Sequence, residues 1–439
     1  MINFPLNKET VKGIVEKNNI KNVGSASIRE IKKLINDIES EAGLKFIRME
    51  MGIPGLPASE IGINAEIEAL RNGCASIYPD IYGTQELKDQ ISLFVKNFVG
   101  IHVPTDCCLP TVGSMQGGFA AFLTTTQIDS KKKKVLFIDP GFPVQKQQCA
   151  ILGVEKESFD VYDYRGEKLR EKLESYLSKG DIACMIYSNP NNPSWICFTD
   201  DELKIIGELS TKYGVVVIED LAYFAMDFRK DYSKPGQAPY QPTVANYTKH
   251  YILLISSSKA FNYAGQRIAM MVISPELFHS KFEGLQTRFN TQDFGKALVF
   301  GALYCLSSGT SHSPQYALAA MLKAVNEGRY DFVKEVREYG EKAKIMKKMF
   351  TDNGFKIVYD KDLDEPIADG FYFTFSYPGY SGDELLEELL RYGISAIALG
   401  ITGSMHKEGI RACVSLIQRN ELPELERRLI QFRNDQPVC

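Results

Sequence analysis

Lys259 is the residue of this sequence with the clearest capacity for covalent chemistry. It follows the apolar run Tyr251–Ile255 and three serines at positions 256, 257 and 258. A lysine amine that has lost its proton can form a Schiff base with an aldehyde. Because the apolar run predicts a buried strand, we expect the amine and the hydroxyls at a strand end rather than on an open surface, where most lysines lie.

Polar side chains follow two further apolar runs in the same way. Asp220 and Tyr223 come after Val215–Ile218, and Asn192 comes after Ile182–Tyr187. A buried aspartate can keep a pyridine nitrogen protonated through a charged hydrogen bond, which makes the ring an electron sink. Asp220 alone would rather fit a helix N-cap, but the phenol three residues later favours the electron-sink role.

The glycine-rich segment Gly113–Gly117 precedes the apolar run Phe119–Leu123 and predicts a turn that opens a helix. The N–H groups at the start of a helix attract anions, and Arg267 offers a planar guanidinium for a phosphate. Each feature is weak alone, since glycine-rich turns and surface arginines are common. Together, an amine, an acid, a phenol, an amide and an arginine are the groups needed to hold pyridoxal phosphate, an aldehyde-bearing phosphorylated pyridine.

Strand and helix patterns alternate from about residue 60 to residue 310. They predict strands at Val135–Asp139, Ile182–Tyr187, Val215–Ile218 and Tyr251–Ile255, and helices at Ser27–Gly43, at Glu86–Val99 and from the capping box Thr199–Glu202 to Gly214. This alternation predicts an α/β fold with a mostly parallel central sheet flanked by helices. Ligands of such sheets bind beyond the carboxyl ends of the strands, where Asn192, Asp220 and Lys259 fall.

The rest of the chain predicts a second domain. A break is expected at Ser308–His312, followed by the largely helical residues 314–349 and then by strand and helix signals that include a capping box at Ser381–Glu384. We predict that residues 1–60 form an N-terminal segment that packs with the small domain. Residues 61–312 are predicted to form a large cofactor-binding domain, and residues 313–439 a smaller C-terminal α/β domain.

Bulk composition argues against several classes of protein. The 439 residues are 44% hydrophobic and 24% charged, with a net charge of −4, so no basic surface for nucleic acid is expected. No run of ~18 apolar residues suits a membrane span, and the pattern of a signal peptide is missing. Nine scattered cysteines predict reduced thiols in the cytoplasm, and the five histidines lack the spacing of metal ligands, so no metal is predicted.

Six segments, taken in order, carry a resemblance to a known family. They are Gly52–Pro54, Tyr78–Gly83 with Glu86 and Leu87, Gly113–Gln116, Asn189–Ser194, Asp220–Tyr223, and Ser256–Lys259 with Arg267. Over about residues 45 to 420 the sequence resembles the class I/II aminotransferases, which are fold-type I pyridoxal-phosphate enzymes. Any one segment could occur by chance, but the ordered series is specific.

The resemblance implies a pyridoxal 5′-phosphate-dependent aminotransferase that moves an α-amino group between an amino acid and a 2-oxo acid. Three catalytic residues are implied: Lys259 carries the Schiff base and later acts as the base, Asp220 pairs with the ring nitrogen, and Tyr223 binds the phenolic oxygen. The other implied cofactor-binding residues are Ser114, Met115, Phe142, Asn192, Ser256, Ser258, Arg267 and, from the second subunit of a homodimer with shared active sites, Tyr78.

Substrate binding is implied for Arg411, Gly52 and Asn192. Arg411 falls where the family binds the α-carboxylate with a bidentate arginine, and Gly52 lies in the loop that closes over that carboxylate. A structural arginine at position 411 and a core phenylalanine at position 142 are the ordinary alternatives.

Three positions depart from the family pattern. Trp195 replaces glycine, Leu399-Gly400 replaces Pro-Gly, and Phe142 replaces tyrosine or tryptophan. Because tryptophan lacks the backbone range of glycine, we expect a reshaped loop at residue 195. No departure removes an essential chemical group, but the first two can alter the choice of substrate.

Other functions stay open on the same scaffold. A lyase or a decarboxylase would use the same carbanion, and nothing in the sequence excludes it. A ligand-sensing regulator would need a DNA-binding module, but only about 45 residues precede the matched region and they show no helix-turn-helix pattern. A nicotinamide dehydrogenase is disfavoured because no Gly-x-Gly-x-x-Gly segment follows a first strand.

Overall fold

Residues 4–437 are described by a computed structural model, in which the chain divides into two compact units. The larger unit contains Leu56–Asn191 and Cys197–Val336, and the smaller unit contains the residues up to Gly55, Asn192–Ile196 and the residues from Arg337 onwards. Residues 313–336, which the sequence analysis assigned to the C-terminal domain, group instead with the larger unit. The reason is that the helix His312–Asn326 packs on the helices Glu60–Arg71 and Gln85–Phe98 of that unit.

The larger unit is built on a seven-stranded sheet. Its strands, in chain order, are β1 (Cys108–Thr111), β2 (Lys134–Asp139), β3 (Glu155–Asp160), β4 (Ile182–Ser188), β5 (Val216–Leu221), β6 (Tyr251–Ser256) and β7 (Ala269–Ile273). Their order across the sheet is β1-β7-β6-β5-β4-β2-β3. Strand β7 runs antiparallel to the other six, which are parallel to one another. The predicted α/β fold with a mostly parallel central sheet is therefore confirmed.

Helices connect and flank these strands. They are Glu60–Arg71, Gln85–Phe98, Gly113–Thr125, Pro143–Leu152, Lys168–Leu177, Asp200–Tyr213, Ser257–Ala260, Pro275–Phe278, Gln286–Phe289, Phe294–Lys296, the π-helix Ala297–Leu303, Tyr304–Ser307 and His312–Asn326. The predicted capping box is confirmed, since Thr199 and Glu202 cap each other's backbone N–H groups at the start of the helix Asp200–Tyr213. Gly214, with a φ of 58°, ends that helix in the left-handed conformation that glycine favours.

The smaller unit contains an antiparallel sheet of four strands. These are β8 (Lys356–Ile357), β9 (Tyr372–Ser376), β10 (Ile397–Ala398) and β11 (Ile410–Cys413), in the order β10-β11-β9-β8. Two short pairs accompany the sheet: Ile47–Arg48 with Ile394–Ser395, and Lys361–Asp362 with Glu365–Pro366. Its helices are Lys8–Lys17, Ile28–Ala42, Gly382–Arg391 and Leu422–Asp435, and the capping boxes at Ser27 and Ser381 start two of them.

The predicted helical stretch at residues 314–349 is interrupted. The helix His312–Asn326 ends before Gly328, which has a φ of 70°, and the helix Phe332–Asp352 begins after a short turn. The boundary between the two units falls within this second helix. None of the helices within residues 4–437 combines the length and the apolar character needed to cross a bilayer.

Candidate active site

Asp220 lies in the centre of the sheet, near the carboxyl end of β5. It pairs with Ser188 of β4 on one side and with Leu254 of β6 on the other, and it is only 8% exposed. Gln145 Nε2 donates a hydrogen bond to Asp220 Oδ2 at 2.8 Å, and the Ala222 N–H donates to Oδ1 at 3.2 Å. Both oxygens therefore have a donor, and each keeps a further lone pair for a ligand.

Burial raises the pKa of Asp220 to about 6, while the nearby Lys259 ammonium and the hydrogen bond from Gln145 lower it. The raised pKa reflects the cost of holding a negative charge away from water. A protonated ring nitrogen placed at the carboxylate would reduce this cost, because it would add a second cation and a charge-assisted hydrogen bond.

Lys259 follows β6 directly, in the short helix Ser257–Ala260. Its Nζ lies 5.9 Å from the centre of the Tyr223 ring, and Tyr223 itself is buried. Ser256 caps the helix by accepting a hydrogen bond from the Ser258 N–H at 3.1 Å. The structure thus brings together Lys259, Asp220 and Tyr223, the three residues to which the sequence analysis assigned catalysis.

An anion-binding cradle is formed where the helix Gly113–Thr125 begins. Its N-cap residue, Val112, has no side chain that can accept a hydrogen bond. The first N–H groups of the helix therefore have no capping side chain and can donate to a ligand. The Arg267 guanidinium lies so close that a Cβ added at Gly113 would be 2.5 Å from Arg267 Nη2. Gly113 has a φ of 66°, a left-handed conformation that favours glycine, and a larger residue there would have to displace the Arg267 guanidinium.

Ser114 and Met115 are in the first turn of this helix, and the Met115 carbonyl accepts a hydrogen bond from Gln148 Nε2 at 2.8 Å. The exposed Arg267 is fixed by donating from Nη1 to the Ala264 carbonyl at 2.9 Å. A dipole-oriented helix start beside a guanidinium is a donor set that suits a phosphate. The residues present therefore fit a phosphorylated group.

Phe142 and Tyr78 stand apart from this hydrogen-bonded set. Phe142 is the N-cap residue of the helix Pro143–Leu152, whose first turn carries Gln145, and it is partly exposed. Tyr78 is 87% exposed and lies in the loop before the helix Gln85–Phe98. The partly exposed Phe142 side chain is accessible to the ring of a ligand. The exposed Tyr78 side chain is accessible to a second protein molecule.

Arg411 lies on β11 of the smaller unit and is only 1% exposed. Its Nη2 donates to the Glu50 carbonyl at 2.6 Å, and its Nη1 donates to Asn192 Oδ1 at 3.4 Å. The guanidinium carbon is 4.6 Å from the centre of the Tyr372 ring. Arg411 Nε has no hydrogen-bond partner within residues 4–437, and a buried unpaired donor of this kind costs about 1–3 kcal/mol. A carboxylate ligand would supply that partner.

Gly52 and Trp195 both pack close to Tyr372. A Cβ at Gly52 would overlap the Tyr372 hydroxyl, and the Trp195 ring meets the Tyr372 ring edge-on at 6.2 Å. Trp195 is fully buried, and its indole occupies the space that a side chain at Gly370 would need. Its φ is 65°, so the backbone keeps a glycine-like conformation in place of the reshaped loop expected from the sequence.

The sequence analysis missed three residues that hold the charged groups. Gln145 binds Asp220, the Glu50 carbonyl binds Arg411, and Tyr372 stacks on Arg411. A glutamine two residues into a helix, a backbone carbonyl and a strand tyrosine carry no local pattern. Only the folded structure identifies them, because each meets its charged partner from a distant part of the chain.

Comparison with known protein sequences supports one family. The family model for aminotransferase class I and II matches residues 52–429. A probable aspartate aminotransferase of Methanocaldococcus jannaschii is 22% identical over 389 residues, which cover 88% of this chain and 92% of the relative. An LL-diaminopimelate aminotransferase of Halothermothrix orenii is 24% identical over 334 residues, which cover 75% of this chain and 81% of the relative.

Solved structures agree on the fold. The alanine aminotransferase of Pyrococcus furiosus superposes with a TM-score of 0.75 at 19% sequence identity, and the match covers 96% of this chain and 99% of that chain. An aspartate aminotransferase of Thermotoga maritima gives a TM-score of 0.73 at 17% identity, with 93% of this chain and 97% of that chain covered. At this level of identity the likeness shows a shared fold.

Proposed function

The chain belongs to the aminotransferase class I and II family and is an aminotransferase, and we propose that it works with pyridoxal 5′-phosphate bound at Lys259. In this proposal an α-amino group moves between an amino acid and a 2-oxo acid. The observation that carries the proposal is the buried Asp220 carboxylate, which accepts a hydrogen bond from Gln145 and lies on the strand next to the one that leads into Lys259.

Each group of the cofactor has a candidate partner in the larger unit. Pyridoxal phosphate, when bound, supplies a protonated ring that delocalises the electron pair left when the substrate loses its α-proton. Asp220 would accept the hydrogen bond of the ring nitrogen, and Tyr223 would donate to the phenolic oxygen. Ser114, Met115, Ser256, Ser258 and Arg267 are the proposed phosphate residues, and Phe142 is the proposed ring contact.

Lys259 has two roles in the proposal. Its Nζ would be the atom joined to the aldehyde carbon, with loss of water, and once the substrate's amine had displaced it, the same Nζ would take the proton from the substrate's α-carbon. Lys259 directly follows a buried strand that pairs with the strand of Asp220, so its backbone is fixed close to that carboxylate. This positioning removes much of the entropic cost of bringing a base to the α-proton.

Substrate recognition is assigned to Arg411, with Asn192 and Gly52. The guanidinium is held on two sides, by the Glu50 carbonyl and by the Tyr372 ring, which leaves its Nε as a donor for a carboxylate. Asn192 belongs to the smaller unit together with Arg411 and accepts one of its hydrogen bonds. We therefore assign the α-carboxylate of both the amino donor and the oxo acid to Arg411.

We also propose a homodimer, supported by exposed apolar side chains of the larger unit. These are Ile67, Leu70, Ile77, Tyr78, Phe300, Tyr304 and Leu306, which are between 40% and 87% exposed. Their segments adjoin, since His312 Nδ1 lies 3.2 Å from the Ile77 carbonyl and the Tyr82 and Phe300 rings are 5.5 Å apart. Exposed apolar side chains on adjoining segments are typical of a protein interface. The cytoplasmic location stays a prediction from the sequence.

Replacement of Lys259 tests the proposal. Lys259→Ala is expected to lower transamination by ~10²–10⁴-fold, because the base is lost, and to abolish the absorbance of lysine-bound pyridoxal phosphate. Lys249→Ala is the matched control, since Lys249 is exposed and lies just before the other end of β6. Turnover retained in Lys259→Ala would refute the assignment.

The amino donor can be identified with a panel of amino acids assayed against pyruvate and 2-oxoglutarate. We expect a 2-oxo acid to be formed from the donor only when an oxo-acid acceptor is present. Release of ammonia without any acceptor would instead indicate an eliminating lyase.

A further inference from the structure

A cysteine, a histidine and an aspartate meet at the edge of the central sheet. Asp106 and Cys107 lie in the turn Thr105–Cys107, directly before β1. His279 follows the helix Pro275–Phe278, which comes just after β7. Cys108 pairs with Val272 in the antiparallel β1–β7 ladder, so the start of β1 and the end of β7 lie side by side. Segments from distant parts of the chain therefore bring the three side chains together.

The three possible ligand atoms form a compact triangle. Cys107 Sγ lies 3.9 Å from His279 Nε2 and 3.7 Å from Asp106 Oδ1, and His279 Nε2 lies 3.2 Å from Asp106 Oδ2. With one atom from each residue, all three are within 4.8 Å of one another. In a tetrahedral zinc site with bonds of about 2.0–2.3 Å, ligand atoms are about 3.3–3.6 Å apart. The two distances to Asp106 involve different carboxylate oxygens, and with one oxygen used throughout the three atoms lie within 4.8 Å of one another. Small rotations of the exposed Asp106 and His279 side chains would bring them to the spacing of one face of such a tetrahedron.

Burial also suits a bound ion with one open position. Cys107 is fully buried, whereas the side chains of His279 and Asp106 are 59% and 52% exposed. An ion could reach Asp106 and His279 from solvent, bind the buried sulfur that these two side chains adjoin and complete its coordination with water. A thiolate, an imidazole and a carboxylate form a ligand set that favours Zn²⁺ over Mg²⁺ and Ca²⁺.

The cluster lies at the end of the sheet opposite to Lys259. At the far end of the β1–β7 ladder, Thr111 pairs with Ala269, and Ala269 in turn pairs with Ser256, close to the lysine. An ion bound beside Cys107 is thus separated from Lys259 by the length of these strands. Its effect would be to tie the turn that enters β1, an edge strand, to the segment that follows β7.

We propose that Asp106, Cys107 and His279 form a structural site for a divalent transition metal of the Zn²⁺ class. Binding displaces the thiol proton of Cys107 to solvent and forms sulfur, nitrogen and oxygen bonds to the ion. Because the site is assembled only in the folded chain, metal binding stabilises the native state.

The experiment titrates Co²⁺ and then Zn²⁺ into the chelator-treated, cofactor-loaded protein and follows difference spectra. Wild-type protein is expected to bind one Co²⁺ per chain with the visible bands of a tetrahedral thiolate site, and one equivalent of Zn²⁺ is expected to displace it. Cys107→Ser is expected to lose these bands. Cys108→Ser is the matched control, because Cys108 is the adjacent thiol and is equally buried.

Two exposed positions provide variants that should fold normally. His279→Ala and Asp106→Asn are each expected to weaken zinc binding about tenfold or more and to remove the rise in Tm that Zn²⁺ causes in the wild type. The proposal is overturned if wild-type protein shows no thiolate bands, or if Cys107→Ser binds Zn²⁺ as tightly as Cys108→Ser does. Either result would make the cluster an ordinary surface ion pair beside a buried thiol.

Discussion

Asp220 and Arg411 are both buried charges, but the protein holds them by different means. Asp220 accepts one hydrogen bond from Gln145 and one from the backbone of its own turn, and its pKa is raised to about 6. Arg411 is fixed by the Glu50 carbonyl, the Asn192 amide oxygen and the Tyr372 ring. The comparison teaches that a group whose charge can change needs few contacts, whereas a guanidinium that always stays charged needs contacts on several sides.

The largest effect is expected at the acid. Asp220→Asn should lower kcat by ~10²–10³-fold, because an amide cannot supply the negative charge that keeps a ring nitrogen protonated. Steady-state kinetics with one donor and one acceptor measure the change. Gln145→Ala, which removes only the supporting hydrogen bond, should have a smaller effect. A kcat for Asp220→Asn near that of the wild type would show that the negative charge at position 220 is not needed for the reaction.

At the cation, Arg411→Lys should raise KM for donor and acceptor by ~10–100-fold, which corresponds to about 1.5–3 kcal/mol of lost charged hydrogen bonding. Lysine carries the same charge but cannot present the planar pair of donors. Separate determination of kcat and KM for both substrates tests this. If kcat alone fell and both KM values were unchanged, carboxylate binding by Arg411 would be ruled out.

Tyr372→Leu isolates the stacking contribution. Loss of a buried cation–π contact worth about 0.5–2 kcal/mol should raise KM by ~2–30-fold, since the guanidinium is no longer held from that side. Tyr372→Phe keeps the ring and serves as the matched control. Equal KM values for the two variants would mean that Tyr372 acts through its hydroxyl beside Gly52 instead.

The last prediction concerns the pH dependence of folding in the cofactor-free protein. Since the pKa of Asp220 is raised from about 3.9 in an unfolded chain to about 6, the folded state binds more protons between these values. The contribution of Asp220 to the free energy of unfolding therefore falls as the pH rises from about 4 to 6. Asp220→Asn should flatten this fall, as measured by urea unfolding across that range.

The flattening should be partial, because two further acids act in the same direction. Burial raises the pKa of Asp139 to about 6 and that of Glu219 to about 7. An unchanged slope in Asp220→Asn would show that the carboxylate at 220 is ionised at a lower pH than its burial implies.

Local patterns in the sequence determined the elements and the positions of the chemical groups. Helix ends were predicted to within a residue or two by the capping boxes at Ser27, Thr199 and Ser381. Gly214 likewise marks the end of the helix Asp200–Tyr213. Apolar runs place Asp220 and Lys259 at the carboxyl ends of neighbouring parallel strands. These features were predictable because each depends on residues that are close together in the chain.

Tertiary structure alone decided the partners of those groups. Gln145 is 75 residues from Asp220, and Glu50 is 361 residues from Arg411, so no local pattern links them. The same holds for the grouping of residues 192–196 with the smaller unit and for the triangle of Asp106, Cys107 and His279. Strand register and close packing determine which distant side chains meet, and both depend on the whole fold rather than on any one segment.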